Sequence, residues 1–281
     1  EGKAMIARLK LALEGPLTLH HGAGYGFLWQ LTGDKQYAGK AKEFLERAME
    51  GIHDARTEYA FHVCSNKMRA GPAAACVACC YDLCFDALEP DFRKAVAKKI
   101  QDAVYPGLIY ETGGGQHNPH SNHYGCWKGG AGVALLGITG DDGIDQEVVS
   151  RSLRHIEGCM RRALKVGYTE RAYFYEGTYC GRIAANTGLM QYLQAARVAA
   201  GEDWITDSQS AQWQLTKWIF ELYRRGPEIR SHMEGMYARP WGRSSNWSGG
   251  GDFCQGFGVA PETHKPAVLW FYNHVLEPGA K

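Results

Sequence analysis

Three features that the sequence lacks limit what this chain of 281 residues can be. No segment approaches the run of about 20 apolar residues that a bilayer-spanning helix needs, so we expect no membrane span. Neither sign of charge predominates, with 31 Lys and Arg against 30 Asp and Glu, which argues against nucleic acid as a partner. Sustained alternation of β-branched residues is scarce before residue 240, so the sequence offers little evidence of strands there.

The beginning of the chain also lacks a targeting signal. It opens EGKAMIARLK, without an initiator Met or an apolar signal segment, so we expect a mature chain or an excised domain. Hydrophobic residues make up 45% of the sequence, enough for a sizeable core in one large domain or two small ones. We treat residues 1–281 as a single domain.

Nine cysteines are present, and four of them lie in the segment CVACCYDLC, at Cys76, Cys79, Cys80 and Cys84. Ligands from consecutive turns of one helix cannot surround a zinc ion tetrahedrally. Free cysteine is among the most buried residue types, so we interpret these four as small core side chains. The sequence predicts no metal site and no cofactor.

Helical periodicity dominates the chain. Tyr37, Ala41, Phe44, Leu45, Ala48 and Ile52 form one apolar stripe, Phe92, Val96, Ile100 and Val104 a second, and Leu215, Trp218, Ile219 and Leu222 a third. Segments 71–88, 129–138 and 183–200 are instead rich in Ala, Gly, Leu and Cys, which is typical of buried helices.

Turn signals separate the two kinds of helix. They lie near Gly33, Pro90, Gly140 and Gly201, at intervals of 57, 50 and 61 residues. A helical hairpin that cannot bury its own apolar face must stack on its neighbours. The sequence therefore predicts an all-α fold, an α/α toroid of stacked hairpins with the apolar helices inside.

Longer polar segments lead into the buried helices, at 53–70, 111–123, 167–179 and 226–262. Long loops gathered at one end of a rigid scaffold usually carry function. The second of these loops is rich in histidine and asparagine, and the tract HNPHSNHYGCW holds His117, Asn118, His120, Asn122, His123 and Trp127. No carboxylate completes a zinc ligand set there, and Cys126 is the only thiol.

The third and fourth loops add aromatic and charged groups. The third places Tyr168, Tyr173, Tyr175 and Tyr179 around Glu170 and Glu176, and the fourth contains Arg239, Trp241, Arg243, Asn246 and Trp247. A phenol beside an imidazole is a usable proton donor or acceptor. Aromatic faces and guanidinium groups suit a ligand with flat ring faces and carboxylates or sulfates, so acidic sugars are the expected ligand.

Two of these segments resemble a known family. SNHYGCWKGGAGVALLGI is similar to the Asn-His segment that opens a central helix in heparinase II/III-like and alginate-lyase-like polysaccharide lyases. YFYEGTYCG is similar to their Tyr-bearing loop, Y-P-E-G-x-x-Y. The hairpin LTGDKQYAGKAKEFL and the closing PAVLWFYN also match in pattern, so the resemblance covers most of the chain.

The resemblance implies an α/α toroid followed by a β-sandwich, and this chain ends near the last toroid helix, so we expect the toroid without the sandwich. It further implies β-elimination on a uronate polysaccharide in the periplasm or outside the cell. Asn122 would neutralise the uronate carboxylate, His123 would take the C5 proton, and Tyr179 would donate to the departing O4. Tyr175, which stands where the family often has Pro, is the second candidate for the acid.

Eight further residues are predicted to contact the substrate: His117, Asn118, His120, Trp127, Glu176, Arg239, Trp241 and Arg243. Two alternatives remain open from the sequence. An α/α-barrel glycoside hydrolase would need two carboxylates, and Glu170, Glu176 and Asp252 supply possible pairs, since Asp34, Asp141 and Asp142 lie in the short turns at the opposite end. A non-catalytic toroid that binds acidic glycans would use the same aromatic and Arg surface.

Overall fold

The computed structural model describes residues 2–14, 19–51, 67–110, 118–177, 180–181, 188–225, 228–231, 253 and 256–276. Over these residues the chain is predominantly helical, which confirms the predicted all-α class. The chain divides into two compact units: Glu1–Gly113 with Trp127–Gly158 form unit 1, and Gly114–Cys126 with Cys159–Lys281 form unit 2. No helix within the described ranges is long and apolar enough to cross a membrane.

Unit 1 is built from helices that pack in sequence order. They are α1 (Gly2–Ala12), α2 (Leu19–Thr32), α3 (Lys35–Met49), α4 (Lys67–Cys84), α5 (Pro90–Val104) and the single turn α6 (Gly107–Tyr110). Helix α4 packs against α2, α3 and α5, and its residues from Ala73 to Tyr81 are mostly inaccessible to solvent. The part of this unit from α1 to α6 is therefore a stack of helices around the apolar α4.

Two helices contribute residues to both units, α7 (Asn122–Leu136) and α8 (Gln146–Arg162), and a π-helical turn (Ala163–Gly167) follows α8. Unit 2 also contains α9 (Met190–Ala199), α10 (Gln209–Phe220) and α11 (Lys265–Phe271), which is followed by a second π-helical turn (Tyr272–Leu276). Its apolar core joins α10 to α11 through Leu215, Trp218, Phe253, Ala260, Val268 and Phe271.

The predicted stripes and turns are largely confirmed. The α3 stripe is buried at Tyr37, Ala41, Phe44, Leu45 and Ala48, and the α5 stripe at Val96, Ile100 and Val104. Three of the predicted turns contain glycines in the left-handed region, with φ of 67° at Gly33, 89° at Gly140 and 70° at Gly201. Only glycine enters this region without steric cost, which explains why the helices end there.

The sequence offered little evidence of strands before residue 240, and one short hairpin is present there. Leu222–Arg225 (β1) pairs antiparallel with Glu228–Ser231 (β2), in the register Leu222 opposite Ser231. Leu222, assigned from its spacing to the α10 stripe, lies in this hairpin instead. A strand of four residues is too short to show a period, so the sequence pattern missed it. Closure of the helices into a toroid, and the single-domain organisation, stay predictions.

The cysteines of α4 are mainly packing residues, as expected. Cys80 and Cys84 are fully buried, and the Cys80 thiol contacts the main-chain oxygen of Ala41 at 3.7 Å. Burial raises the pKa of the Cys76 thiol to about 12 and that of Cys79 to about 11. Thiols with such values are almost entirely protonated near neutral pH and are poor nucleophiles.

Candidate functional site

The N-terminus of α7 presents the predicted catalytic pair on a helix turn. Ser121 precedes the helix, and its Oγ accepts a hydrogen bond from the main-chain N–H of His123 at 3.4 Å. Its main-chain oxygen accepts from Tyr124 at 3.0 Å. Serine is a favoured residue at this position because its side chain satisfies one of the free N–H groups of the first turn. Asn122 and His123, both half-buried, are thereby fixed to the start of a rigid helix.

A tight turn leads the chain into this helix. The Oδ1 of Asn118 accepts from the main-chain N–H of His120 at 3.0 Å, and the Asn118 main-chain oxygen accepts from Ser121 at 2.9 Å. Such local side-chain bonds are what asparagine contributes to turns. The turn lies directly against Gly167, where a Cβ would collide with the main-chain oxygen of Pro119. Glycine at 167 therefore allows the third loop to approach the second.

The third loop folds back on itself. Tyr168 and Phe174 form an isolated antiparallel bridge, and the N–H of Tyr175 donates to the main-chain oxygen of Gly167 at 3.2 Å. At the tip, the N–H of Thr169 donates to the main-chain oxygen of Tyr173 at 2.9 Å. The loop is thus a small hydrogen-bonded hairpin. Tyr175 and Glu176 lie at the end opposite its tip.

Two contacts join this hairpin to the start of α7. The Oε2 of Glu176 accepts from the main-chain N–H of Asn122 at 2.8 Å. The imidazole of His120 stacks on the Tyr175 ring, with centroids 4.4 Å apart and planes 22° from parallel. A carboxylate at a helix N-terminus is favoured by the free N–H groups and by the helix dipole. We call Asn118, His120, Asn122, His123, Tyr175 and Glu176 the α7 cluster.

The cluster is open to solvent. Tyr175 is 76% exposed and Glu176 is also exposed, whereas Asn122, His123 and His120 are half-buried. Beneath it, Tyr124 and Tyr168 are buried, and burial raises the pKa of both phenols well above the usual value. Burial also raises the pKa of the Cys180 thiol, and the negative charge of Glu176 raises it further. The two phenols are therefore enclosed, whereas the members of the cluster are at least partly accessible to solvent.

Six of the predicted site residues lie in the α7 cluster, and a seventh, Trp127, is buried. Trp127 is only 1% exposed and belongs to unit 1, among its largest fully buried side chains, so its indole is too deeply buried to contact a glycan. This corrects its assignment as a substrate-binding residue: an aromatic at the start of a buried helix serves packing. His117, Tyr179, Arg239, Trp241 and Arg243 lie outside the described residues.

Two residues that support the cluster were missed from the sequence. Ser121 precedes an apolar helix and could have been recognised as a cap from that position alone. Lys217 could not, because lysine in an amphipathic helix is normally solvent-exposed, whereas here it is 1% exposed. Its amine donates to the main-chain oxygen of Ala172, inside the third loop.

The carboxylates at the short turns have structural partners, as their positions in the sequence suggested. Asp34 caps α3 by accepting from the N–H of Gln36 at 3.0 Å, and Asp142 lies 3.8 Å from the amine of Lys94. Asp141 accepts from the hydroxyl of Tyr81 at 2.6 Å.

Of the carboxylates weighed for hydrolysis, Glu170 lines a separate cavity of about 400 Å³ with Arg161, Lys165 and Trp204.

Comparisons with known proteins identify no relative. Protein-family models, curated proteins and solved structures were each searched, and none matches this chain. The chemistry of the α7 cluster therefore rests on its own residues.

Proposed function

We propose that this protein is a polysaccharide lyase that cleaves an acidic, uronate-containing glycan by β-elimination. The observation that carries the proposal is the α7 cluster, where two amides, two imidazoles, a phenol and a carboxylate lie together at a helix N-terminus. Elimination at a uronate needs a group that neutralises the carboxylate, a base for the C5 proton and an acid for the leaving O4. These are the group types that the cluster and the following Tyr179 offer.

Asn122 takes the first role. Its side-chain amide donates to the uronate carboxylate, which withdraws electron density from C5 and acidifies the proton there. The N-terminal end of α7 adds a favourable dipole for a negative charge. Glu176 accepts from the main-chain N–H of Asn122, which holds the third loop against the first turn of α7.

His123 takes the second role, as the base. It stands one residue after Asn122 on the first turn of α7, with its main-chain N–H bound by Ser121. A phenol completes the reaction by protonating O4. By resemblance Tyr179 is that acid, and Tyr175, which the structure stacks on His120, is the second candidate.

The aromatic surface of the cluster suits a pyranose ring. The exposed ring of Tyr175 stacks on the half-buried imidazole of His120, so the cluster presents an aromatic surface to solvent. Sugar rings present apolar C–H faces that pack on aromatic rings, while their hydroxyl groups bind polar neighbours such as Asn118. This combination favours a saccharide over a wholly apolar ligand.

The test follows the chromophore that elimination creates. The chain is incubated with alginate, heparan sulfate, chondroitin sulfate, hyaluronan and pectate, and the ultraviolet absorbance of the 4,5-unsaturated uronate is recorded. We expect growth with one polymer, with a loss of about 100-fold or more in kcat for His123→Ala and for Tyr179→Phe. New reducing ends without the chromophore would instead establish a hydrolase.

The matched control is His274→Ala. His274 is an exposed histidine of unit 2 that stacks on Trp270, with centroids 5.0 Å apart, and it lies outside the α7 cluster. Its loss should leave turnover within about twofold, as for an ordinary surface substitution. Polymer binding that survives in His123→Ala while neither chromophore nor reducing ends form with the unaltered chain would favour the glycan-binding alternative.

A further inference from the structure

A buried lysine lies beneath the loop that carries Tyr175 and Glu176. Lys217, on α10, is 1% exposed, and its Nζ donates to the main-chain oxygen of Ala172 at 2.8 Å. The same Nζ lies 5.6 Å from the centroid of the Tyr168 ring, within the range of a cation–π contact. A Cβ built on Gly181 would lie 3.5 Å from it. One amine therefore adjoins the start and the tip of the third loop, and also Gly181, which follows that loop.

The residue that Lys217 binds has an unusual backbone. Ala172 has a φ of 61°, in the left-handed region, and is fully buried. A non-glycine residue in this region has a conformational cost, so its surroundings must hold it there. The hydrogen bond to Lys217 is one such restraint, and the N–H of Ala172 makes another by donating to the main-chain oxygen of Thr169 at 2.9 Å.

A series of hydrogen bonds in the hairpin connects Ala172 to the α7 cluster. Tyr173 follows at once, and its N–H and main-chain oxygen both bind Thr169, at 3.1 and 2.9 Å. Tyr175 then binds Gly167 across the hairpin, and Glu176 binds Asn122. A change in the backbone at Ala172 must therefore shift Tyr175 and Glu176 relative to the start of α7.

We propose that Lys217 is a positioning residue for the elimination site, acting through the main-chain oxygen of Ala172 to fix the loop that bears Tyr175 and Glu176. The expected loss of kcat rests on the proposed lyase function, whereas the expected change in hydrogen exchange of the loop does not. Lys217 touches neither substrate nor a reacting atom in this scheme. It determines where the phenol and the carboxylate of the loop lie.

The first test replaces Lys217 with Met, whose side chain is of similar length but lacks the amine that donates to Ala172. A displacement near 1 Å costs on the order of 100-fold in rate, so kcat on the responsive glycan should fall by about 10- to 100-fold, with KM changed less than about threefold. Amide hydrogen exchange at residues 169–177 should accelerate in the same variant. Wild-type kcat and wild-type exchange in folded Lys217→Met would overturn the proposal.

The matched control is the other lysine that the described residues bury, Lys128 on α7, which is 3% exposed. Its amine donates to the main-chain oxygens of Leu108, at 3.1 Å, and Ile109, both in unit 1. Lys128→Met should lower the melting temperature without accelerating exchange at 169–177. Equal acceleration in both variants would mean that loss of any buried lysine loosens the loop, and would refute a specific role for Lys217.

A second pair of variants keeps the test decisive if Lys217→Met does not fold. Glycine adopts a φ near that of Ala172 without the cost that alanine has, so Ala172→Gly reduces the need for the restraint. In the double variant Lys217→Leu with Ala172→Gly, kcat should recover at least about threefold over Lys217→Leu alone. No recovery would refute action through Ala172. If the unaltered chain cleaves none of the polymers, the lyase proposal fails, and the exchange experiment alone still decides the positioning role.

Discussion

Two carboxylates in this molecule each accept a hydrogen bond from a helix residue, and the two contacts differ in how exposed their surroundings are. We call the contact of Asp141 with Tyr81 the closed junction and that of Glu176 with Asn122 the open junction. In unit 1, Asp141 accepts from the hydroxyl of Tyr81 at 2.6 Å, and Tyr81 is fully buried. In unit 2, Glu176 accepts from the main-chain N–H of Asn122 at 2.8 Å, next to an exposed Tyr175. Both junctions combine a carboxylate and a tyrosine, but only in the first are the two bonded to each other.

The difference follows from the length of the connecting segment. Asp141 lies in a short turn between α7 and α8, so its side chain stays close to the helices, and burial raises its pKa and that of Tyr81. Glu176 lies at the end of the longer hairpin loop, where residues 175–177 are exposed to solvent. The same residue types are thus structural in one place and available to a ligand in the other.

The largest effect is expected at the closed junction. Tyr81→Phe removes the donor to a partly buried carboxylate and should lower the free energy of unfolding by about 1–3 kcal/mol near neutral pH. Urea denaturation measures this change. The matched control is Asp142→Asn, which breaks an exposed 3.8 Å ion pair with Lys94 and should cost less than about 1 kcal/mol.

The pH dependence of Tyr81→Phe has a definite sign. Burial raises the pKa of Asp141 above 3.8, and the bond from Tyr81 lowers it, so the variant has the higher folded pKa. When the pKa of a carboxyl is higher in the folded than in the unfolded protein, the protein becomes less stable as pH rises from 3.8 through that raised pKa. The stability deficit of Tyr81→Phe should therefore be larger near neutral pH than below 3.8. A deficit independent of pH would show that Asp141 is not the affected group.

A smaller effect on stability is expected at the open junction. Glu176→Gln removes the charge at the N-terminus of α7 but keeps an acceptor, so the free energy of unfolding should fall by less than about 1 kcal/mol. Turnover should fall much more than stability, by about tenfold, because the loop loses a contact that orients it. Urea denaturation measures the change in the free energy of unfolding, and the ultraviolet assay measures the change in turnover. A loss confined to stability would make Glu176 a helix cap only.

The next substitution separates the two candidate acids. Tyr175→Phe removes an exposed hydroxyl and should change the free energy of unfolding by less than about 0.5 kcal/mol. If Tyr179 is the acid, kcat should stay within about threefold for Tyr175→Phe and collapse for Tyr179→Phe. The reverse pattern would assign the acid to Tyr175 and shift the register of the family motif by four residues.

The smallest effect concerns a thiol beside the cluster. Cys180 has a raised pKa because it is partly buried, with a further contribution from the charge of Glu176. In Glu176→Gln the pKa of Cys180 should fall, which increases the thiolate fraction and accelerates alkylation by iodoacetamide. Peptide mapping after a timed reaction reports the rate. Cys79, whose pKa is raised to about 11 by burial, should keep its rate and serves as the internal control.

Periodicity predicted most of the helices, because an apolar stripe at the helical repeat reports which face is buried. The α3 and α5 stripes and the glycine turns at Gly33, Gly140 and Gly201 are all present. The hairpin at Leu222–Arg225 was missed, since strands of four residues carry no measurable period. The local pattern of apolar residues and turn glycines therefore predicted the helices and their ends, but not the short strands.

The site was predictable in its residue types but not in its contacts. The His and Asn tract and the Tyr loop stood out in the sequence, and the structure brings His120 onto Tyr175 and Glu176 onto Asn122. Which of the polar groups pair with each other depends on tertiary approach, such as that of Gly167 to Pro119. Burial was the other unpredictable quantity, since Trp127 and Lys217 are both enclosed.

The bond between Glu176 and Asn122 also has a consequence for folding kinetics. It joins residues 54 positions apart, with all of α8 between them. Closing a chain segment of that length costs entropy before the contact contributes any free energy, so such contacts form after local helices and hairpins. The hairpin 167–177 and α7 form early from local bonds, and the α7 cluster is completed only when they dock. Refolding should therefore restore helical circular dichroism before the His120–Tyr175 contact.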